Sequence, residues 1–392
     1  MFTKLKFKNY LKKANNLFEK REYDEALAYY KKVLLLDKYN LIALYKIAYI
    51  YYIKKEYDSS IKILKDIVYL NGYSKALLLL GRIYGILGDF EEGLKFYSLF
   101  LDNENYNNID FFDEFKFFAD LELKFICKDY IKFYSFSVKI CELFLSKFDS
   151  ENNFEFYLKF LTWECFKLFD LKLYSESLLN SKKLLNLNKE NPLPYLLIAS
   201  NLLYLKEYHE SLIYLDDGLK IDSEDILLNQ TKGQVLYCLN NLEDSNKYFK
   251  KALSLCESSD SYYFISKIYF KEKKFKLALR NIDRAIKREY DNYADLKDKH
   301  SQVYYASDYF DLYWYKSLIL FKLSQFDEAN KIIDCLLEKE ESAKNYCLKS
   351  MILFEMDDYE NALMFVNKAL DLKPDCKQAI ELKEKIKSLN KS

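Results

Sequence analysis

The sequence predicts an all-α fold in which helix–turn–helix units stack into an elongated solenoid, and three observations carry that prediction. Its 392 residues hold 7 Gly and 3 Pro, too few turn formers for a many-turned β-sandwich or a Gly-rich phosphate loop. Apolar residues recur at i, i+3 and i+7, as in Leu44, Ile47 and Tyr51 or Leu77, Leu80 and Tyr84, the stripe of a helix with one buried face. A short phrase containing an aromatic and then a small residue returns every 33 or 34 positions over most of the chain.

Taken in order, the phrase appears as Glu22-Tyr23-Asp24-Glu25-Ala26, Glu56-Tyr57-Asp58-Ser59-Ser60 and Asp89-Phe90-Glu91-Glu92-Gly93. It resumes as Leu173-Tyr174-Ser175-Glu176-Ser177, Glu207-Tyr208-His209-Glu210-Ser211 and a weaker Leu242-Glu243-Asp244-Ser245. The last copies are Lys274-Phe275-Lys276-Leu277-Ala278, Gln325-Phe326-Asp327-Glu328-Ala329 and Asp358-Tyr359-Glu360-Asn361-Ala362. Twelve residues before each closing small residue stands another: Ala14, Ala48, Gly81, Cys165, Ala199, Gly233, Ser266, Ser317 and Ser350. Sterics explain the pairing, because two antiparallel helices joined by a short turn approach closely only where side chains shrink. The acids after the aromatic (Asp24, Glu25, Glu91, Glu92, Glu328, Glu360) fall in the first turn of the second helix, where they complement its dipole.

With this large-small-aromatic pattern the chain resembles the tetratricopeptide repeat (TPR) family. The resemblance implies a right-handed α-α superhelical solenoid whose units cannot bury their apolar faces alone. The expected division is three repeats over 1–107, a divergent helical repeat or insertion over 108–157, four repeats over 158–292, an insertion over 293–309, two repeats over 310–376 and a capping helix over 377–392. Within 108–157, Phe115, Phe118 and Ala119 suit a first helix, Ser137, Cys141 and Phe144 a second, and Asn152-Asn153 a following loop. The segment from Tyr293 to Asp308, with His300, fits a loop or a short added helix. Lys373-Pro374-Asp375 matches the family's terminal proline, and Ile380, Leu382 and Ile386 among lysines suit a solvated cap.

Sixty Lys and Arg balance sixty Asp and Glu, so no global field recruits nucleic acid or an anionic membrane. Eight cysteines occur without a CxxC, and His209 and His300 are the two histidines, which leaves no zinc-ligand pattern. Most cysteines lie in apolar stretches and read as small hydrophobes. Met1 to Lys20 lacks the apolar core of a secretory signal, and the most apolar stretch, Ala76–Leu87, carries Arg82 and is too short to span a bilayer. A cytoplasmic location is expected. Gly81, Gly85 and Gly88 imitate a dinucleotide loop in spacing but belong to a helix and its turn, with no preceding strand. No GxxxxGK[ST], HExxH or GxSxG occurs, so neither catalyst nor cofactor is expected.

TPR geometry would place first-helix residues one step off the packing stripe along the concave surface. Those positions hold Tyr45, Tyr49 and Tyr52, Trp163 and Phe166, Tyr263 and Phe264, and Trp314 and Tyr315. Two roles fit them: anchors for an extended or helical peptide, or packing between neighbouring helices. The TPR subtype that clamps chaperone C-terminal carboxylates is matched at Asn15 and Lys75 but not at Leu11, Lys46 and Leu79, which argues against such a tail as partner. The RNA-reading pentatricopeptide class has a longer period and a basic face, absent here. The expected function is a non-enzymatic scaffold or adaptor for protein partners, the alternative a regulatory subunit or peptide-responsive switch acting on an enzyme.

Overall fold

A computed structural model describes residues 2–70, 74–102, 130–146, 154–297 and 307–389. Among them are twenty α-helices and no strand: α1 Phe2–Glu19, α2 Tyr23–Leu36, α3 Leu41–Ile53, α4 Tyr57–Tyr69, α5 Ser74–Leu87, α6 Phe90–Leu101, α7 Tyr130–Leu145, α8 Phe154–Asp170 and α9 Tyr174–Leu187. Then follow α10 Pro192–Tyr204, α11 Tyr208–Ile221, α12 Ile226–Cys238, α13 Leu242–Leu255, α14 Ser259–Lys271, α15 Phe275–Lys297, α16 Ser307–Lys322, α17 Phe326–Leu337, α18 Ala343–Glu355, α19 Tyr359–Leu372 and α20 Lys377–Leu389. The chain divides into two compact units, residues 1–187 and 188–392. In each, a helix packs on its hairpin partner and then on the first helix of the next hairpin, the nearest-neighbour pattern of a solenoid. Phe111, Phe112, Phe115, Phe117, Phe118, Ala119, Cys127, Asn152, Asn153 and His300 lie outside the described residues.

Three devices close the hairpins, the first two in all nine and the third in six. The first is the pair of small residues, all buried, and wherever serine supplies one member its hydroxyl usually donates to the carbonyl of the other. Ser60 Oγ reaches Ala48 O at 2.8 Å, Ser177 reaches Cys165 at 2.9 Å, Ser211 reaches Ala199 at 2.8 Å and Ser245 reaches Gly233 at 2.7 Å. Ser266 and Ser317 donate in the other direction, to Ala278 at 2.8 Å and Ala329 at 2.9 Å. Where glycine holds both positions the backbones approach instead: a Cβ on Gly93 would stand 3.2 Å from Gly81 O, and one on Gly81 2.7 Å from the Tyr97 ring.

The second device is the turn. Five residues before the second small residue, the backbone enters the left-handed region at Arg21, Lys55, Gly88, Lys172, Lys206, Asn240, Lys273, Ser324 and Asp357, with φ between 58° and 82°. That residue ends the first helix, and the next N–H returns to a carbonyl five residues back, as from Glu22 to Leu17 and from Asp89 to Tyr84, both at 2.9 Å. This is the bonding of a Schellman cap.

The third is an aromatic clasp between the end of one helix and the start of the next. Phe18 meets Tyr23, Tyr52 meets Tyr57, Phe169 meets Tyr174, Phe270 meets Phe275, Phe321 meets Phe326 and Phe354 meets Tyr359, with ring centroids 5.3 to 6.3 Å apart. Acids in the first turn of the second helix, Asp24, Glu25, Glu91, Glu92, Glu328 and Glu360 among them, sit at its positive end.

Between hairpins, the second unit repeats an ion pair in one register. A lysine immediately before the first small residue meets an aspartate five residues after the preceding hairpin's second small residue. The pairs are Lys232 with Asp216, Lys316 with Asp283 at 2.8 Å and Lys349 with Asp334 at 2.5 Å. Lys232 also donates to the Tyr248 hydroxyl and Lys349 to Asn330 Oδ1, each at 2.7 Å. In the first unit the same two positions at the α7/α8 joint carry Glu142, five after buried Ser137, and buried Glu164, immediately before Cys165. Burial, and secondarily Glu142, push the Glu164 carboxyl up to about 7 against the opposing Lys183 and Asn180.

Ser137, Cys141 and Phe144 all lie buried on α7. Residues 293–297 continue α15 rather than opening a loop. Helix α20 covers the last hairpin with Ala379 and Ile386, both fully buried, while Ile380 stays 38% exposed. The Gly81, Gly85 and Gly88 spacing falls on α5 and its turn.

Candidate functional site

First helices carry the candidate residues, and each unit builds its own face from them. In the first unit Tyr45 is buried, 8% exposed, with Tyr49 half-buried beside it at a ring distance of 6.2 Å. Tyr49 also touches Phe18 at 5.9 Å and Tyr52 at 5.7 Å, so the three tyrosines continue an aromatic row begun on α1. Tyr52 faces the Arg82 guanidinium at 5.8 Å, and burial pushes its hydroxyl up to about 12. Lys46, whose ammonium lies 3.7 Å from the centre of the Phe18 ring, is pulled below the usual lysine value by burial, with Glu19 opposing. Trp163 is half-buried against the core of this unit, and Phe166 is 42% exposed.

The second unit sets rings and amines together on α12, α14, α16 and α18. Spacing of four residues puts Tyr263, Lys267 and Lys271 on one face of α14. Lys267 Nζ lies 5.2 Å from the Tyr237 ring centre, 5.0 Å from Tyr263 and 4.9 Å from Phe264. Lys271 lies over Tyr237 at 4.0 Å and donates to Asn240 Oδ1 at 3.3 Å. From α18, Lys344 covers the Trp314 ring at 4.1 Å and pairs with Asp311 at 2.7 Å. Burial lowers the Lys267 ammonium from its usual value; Lys271 and Lys344 act the same way, while Cys238 and Asp311 oppose them.

The predicted aromatics of this unit occupy different depths. Tyr315 is buried, 9% exposed, between Tyr263 at 5.6 Å and Phe270 at 5.4 Å, and burial raises its hydroxyl strongly. Phe264 stacks on Phe249 of α13 at 5.1 Å. Tyr263 and Trp314 remain half-buried, their rings shared between neighbouring helices and the lysines. The structure thus gathers Tyr263, Phe264 and Tyr315 into one group, places Trp314 beside it through Lys344, and adds Tyr237 and the three lysines. Sequence reasoning missed those four residues, although the 263, 267, 271 spacing was available to find them.

Among the described residues no three His, Cys, Asp or Glu gather as metal ligands, and no helix is long and apolar enough to cross a membrane.

Models of the tetratricopeptide repeat match residues 11–75, 74–104, 259–292 and 343–376. No curated protein matches the chain by sequence. Solved structures similar to it include YrrB, described as a TPR protein with an unusual peptide-binding site, at 23% identity over 52% of this chain and 97% of that one, TM-score 0.40. Yeast Tom70 shares 17% identity over 98% and 96% of the two chains, TM-score 0.39, and the type IV pilus biogenesis factor PilW 15% over 57% and 97%, TM-score 0.49. The repeat matches, falling on the hairpins whose small pairs, Schellman turns and aromatic clasps recur in register, identify the chain as a tetratricopeptide repeat protein.

Proposed function

We propose that the chain is a non-enzymatic adaptor that holds a segment of a partner protein on the first-helix face of its second unit. Tetratricopeptide repeat proteins are in general interaction scaffolds, and one observation carries the reading to this face: partly exposed rings and amines from four first helices converge at Tyr237, Tyr263, Lys267, Trp314 and Lys344. Aromatic side chains that keep one open edge supply large contact area at small entropic cost, which is what anchors a peptide. The first-unit row of Tyr45, Tyr49 and Tyr52, with Trp163 and Phe166, is a second contact region of the same kind. The seven described cysteines are free thiols, which supports work in a reducing cytoplasm.

The test is affinity capture from native lysate with the wild-type chain and with Tyr263→Ala/Trp314→Ala, after the helical circular dichroism of the variant is matched to wild type. The expected result is a partner held by wild type and lost by the variant. Identical partners on both proteins would remove this face from consideration.

A further inference from the structure

Cys347 and Cys376 form a pair across the last joint of the chain. Cys347 lies on α18, three residues before the small residue Ser350, and is 4% exposed. Its thiol donates to Gln378 Oε1 of α20 at 3.8 Å, and the Cys376 thiol lies within hydrogen-bonding reach of it. Cys376 immediately precedes α20, and its carbonyl accepts the Ile380 N–H at 3.0 Å, the first bond of that helix. Both side chains border the apolar cluster that α20 covers.

The same register is filled differently at an earlier joint. Gln230 stands three residues before Gly233 and donates to Ser258 Oγ at 2.8 Å and to Ser261 Oγ at 3.0 Å, Ser258 being the residue that caps α14. An amide and two hydroxyls hold that joint, whereas two thiols, which can be oxidised, meet at the last one. Burial raises the Cys347 thiol above its usual range and so keeps it protonated, while Cys376 is half-buried and open to solvent. A small oxidant therefore meets Cys376 first, with Cys347 waiting behind it. Cys141 and Cys165, neighbouring thiols of the first unit, are both fully buried and lack the open member.

The pair sits where the array is weakly closed. Helix α20 buries Ala379 and Ile386 completely and Leu382 in part, against a cluster that includes Tyr346, Val366 and Ala369. So small a buried face lets a terminal helix open locally, and each opening bares the apolar end of the last hairpin.

We propose that Cys347 and Cys376 are a redox switch oxidised by hydroperoxides, whose disulfide fastens α20 over the last hairpin. The Cys376 thiolate attacks one peroxide oxygen, the O–O bond breaks, and hydroxide leaves to take up the proton that the thiol gave to solvent. Cys376 is then a sulfenic acid. The Cys347 sulfur displaces its oxygen, forming the S–S bond, and the Cys347 proton departs with that oxygen as water. Two electrons have passed from the two thiols to the peroxide, and a dithiol reductant restores both thiols by exchange.

The test adds hydrogen peroxide to the reduced full chain, blocks remaining thiols with N-ethylmaleimide and maps tryptic peptides by mass spectrometry. The expected product links Asn345–Lys349 to Ala369–Lys377 and is cleaved by dithiothreitol. Amide exchange in α20 of the oxidised wild type should slow about tenfold or more, and in Cys376→Ser peroxide should leave it unchanged. Recovery of both cysteines as N-ethylmaleimide adducts, or sulfinic acid on Cys376 without the linkage, overturns the switch. Indiscriminate linkage of Cys376 to the exposed Cys256 and Cys335 overturns the pairing. A Cys347–Cys376 disulfide that leaves α20 exchange unchanged, or slowing that persists in Cys376→Ser, overturns the fastening.

Discussion

In the second unit, Lys232, Lys316 and Lys349 meet Asp216, Asp283 and Asp334 across successive hairpins; in the first unit, the matching positions at the α7/α8 joint set Glu164 near Glu142. The register is shared and the charge arrangement is opposite. At Lys232 burial works against the ammonium, yet its bonds to Asp216 and the Tyr248 hydroxyl raise it above the usual lysine value. At Glu164 burial, and secondarily the neighbouring Glu142, disfavour the charged form and raise the carboxyl to about 7. The α7/α8 joint is therefore sensitive to pH near neutrality.

The largest expected effect lies at that acid joint. Glu164 has a folded pKa above its unfolded value of about 4.5, so its contribution to stability is full below that value and is lost as pH rises through 7. Between pH 5 and pH 8 the α7/α8 joint should lose about 2–3 kcal/mol, read as faster amide exchange in α7 and α8. Glu164→Gln should flatten the profile. Glu164→Lys, which recreates the lysine-against-acid arrangement with Glu142, should flatten it as well, since neither partner of such a pair titrates between pH 5 and 8. A wild-type profile that is flat over this range would break the comparison.

A smaller effect is expected in the other kind of joint. Asp334→Ala leaves Lys349, whose side chain is 7% exposed, with Asn330 Oδ1 as its remaining acceptor, and should cost about 2 kcal/mol in urea unfolding. Smallest are the turns. Lys206→Gly relieves a left-handed non-glycine residue and should gain about 1 kcal/mol. Gly88→Ala should lose about as much, although a Cβ there meets nothing within 4 Å, because its φ of 82° alone opposes a side chain.

The helical hairpins were legible in the sequence because their steric requirement leaves a residue-size signature: small residues twelve apart can be counted. The bonds made at those positions were not, since serine serves as a small residue and a hydroxyl donor with the same letter. The left-handed turn residue was hidden more thoroughly. Eight of its nine occurrences are Arg, Lys, Asn, Ser or Asp, so the glycine that usually marks such a turn appears once, at Gly88. For the binding face, periodicity located the right helices but not the depth of each ring. Tyr45 and Tyr315 occupy the same rows as Tyr49 and Trp314, yet packing from adjacent helices buries the first two. Lysines on a helix face read as solvated, and Lys267 showed its setting only once Tyr237 of α12 was brought across it.

The hydroxyl-to-carbonyl closures join residues only twelve apart, and the Schellman bonds only five. A chain stitched over such short distances has a low contact order, which is the condition for rapid folding. During synthesis, each hairpin can therefore close as soon as its own residues have left the ribosome, before the hairpin that will cover it exists. The surface briefly left open is that of one hairpin at a time, which keeps the aromatic faces of this tyrosine- and phenylalanine-rich chain from being exposed together.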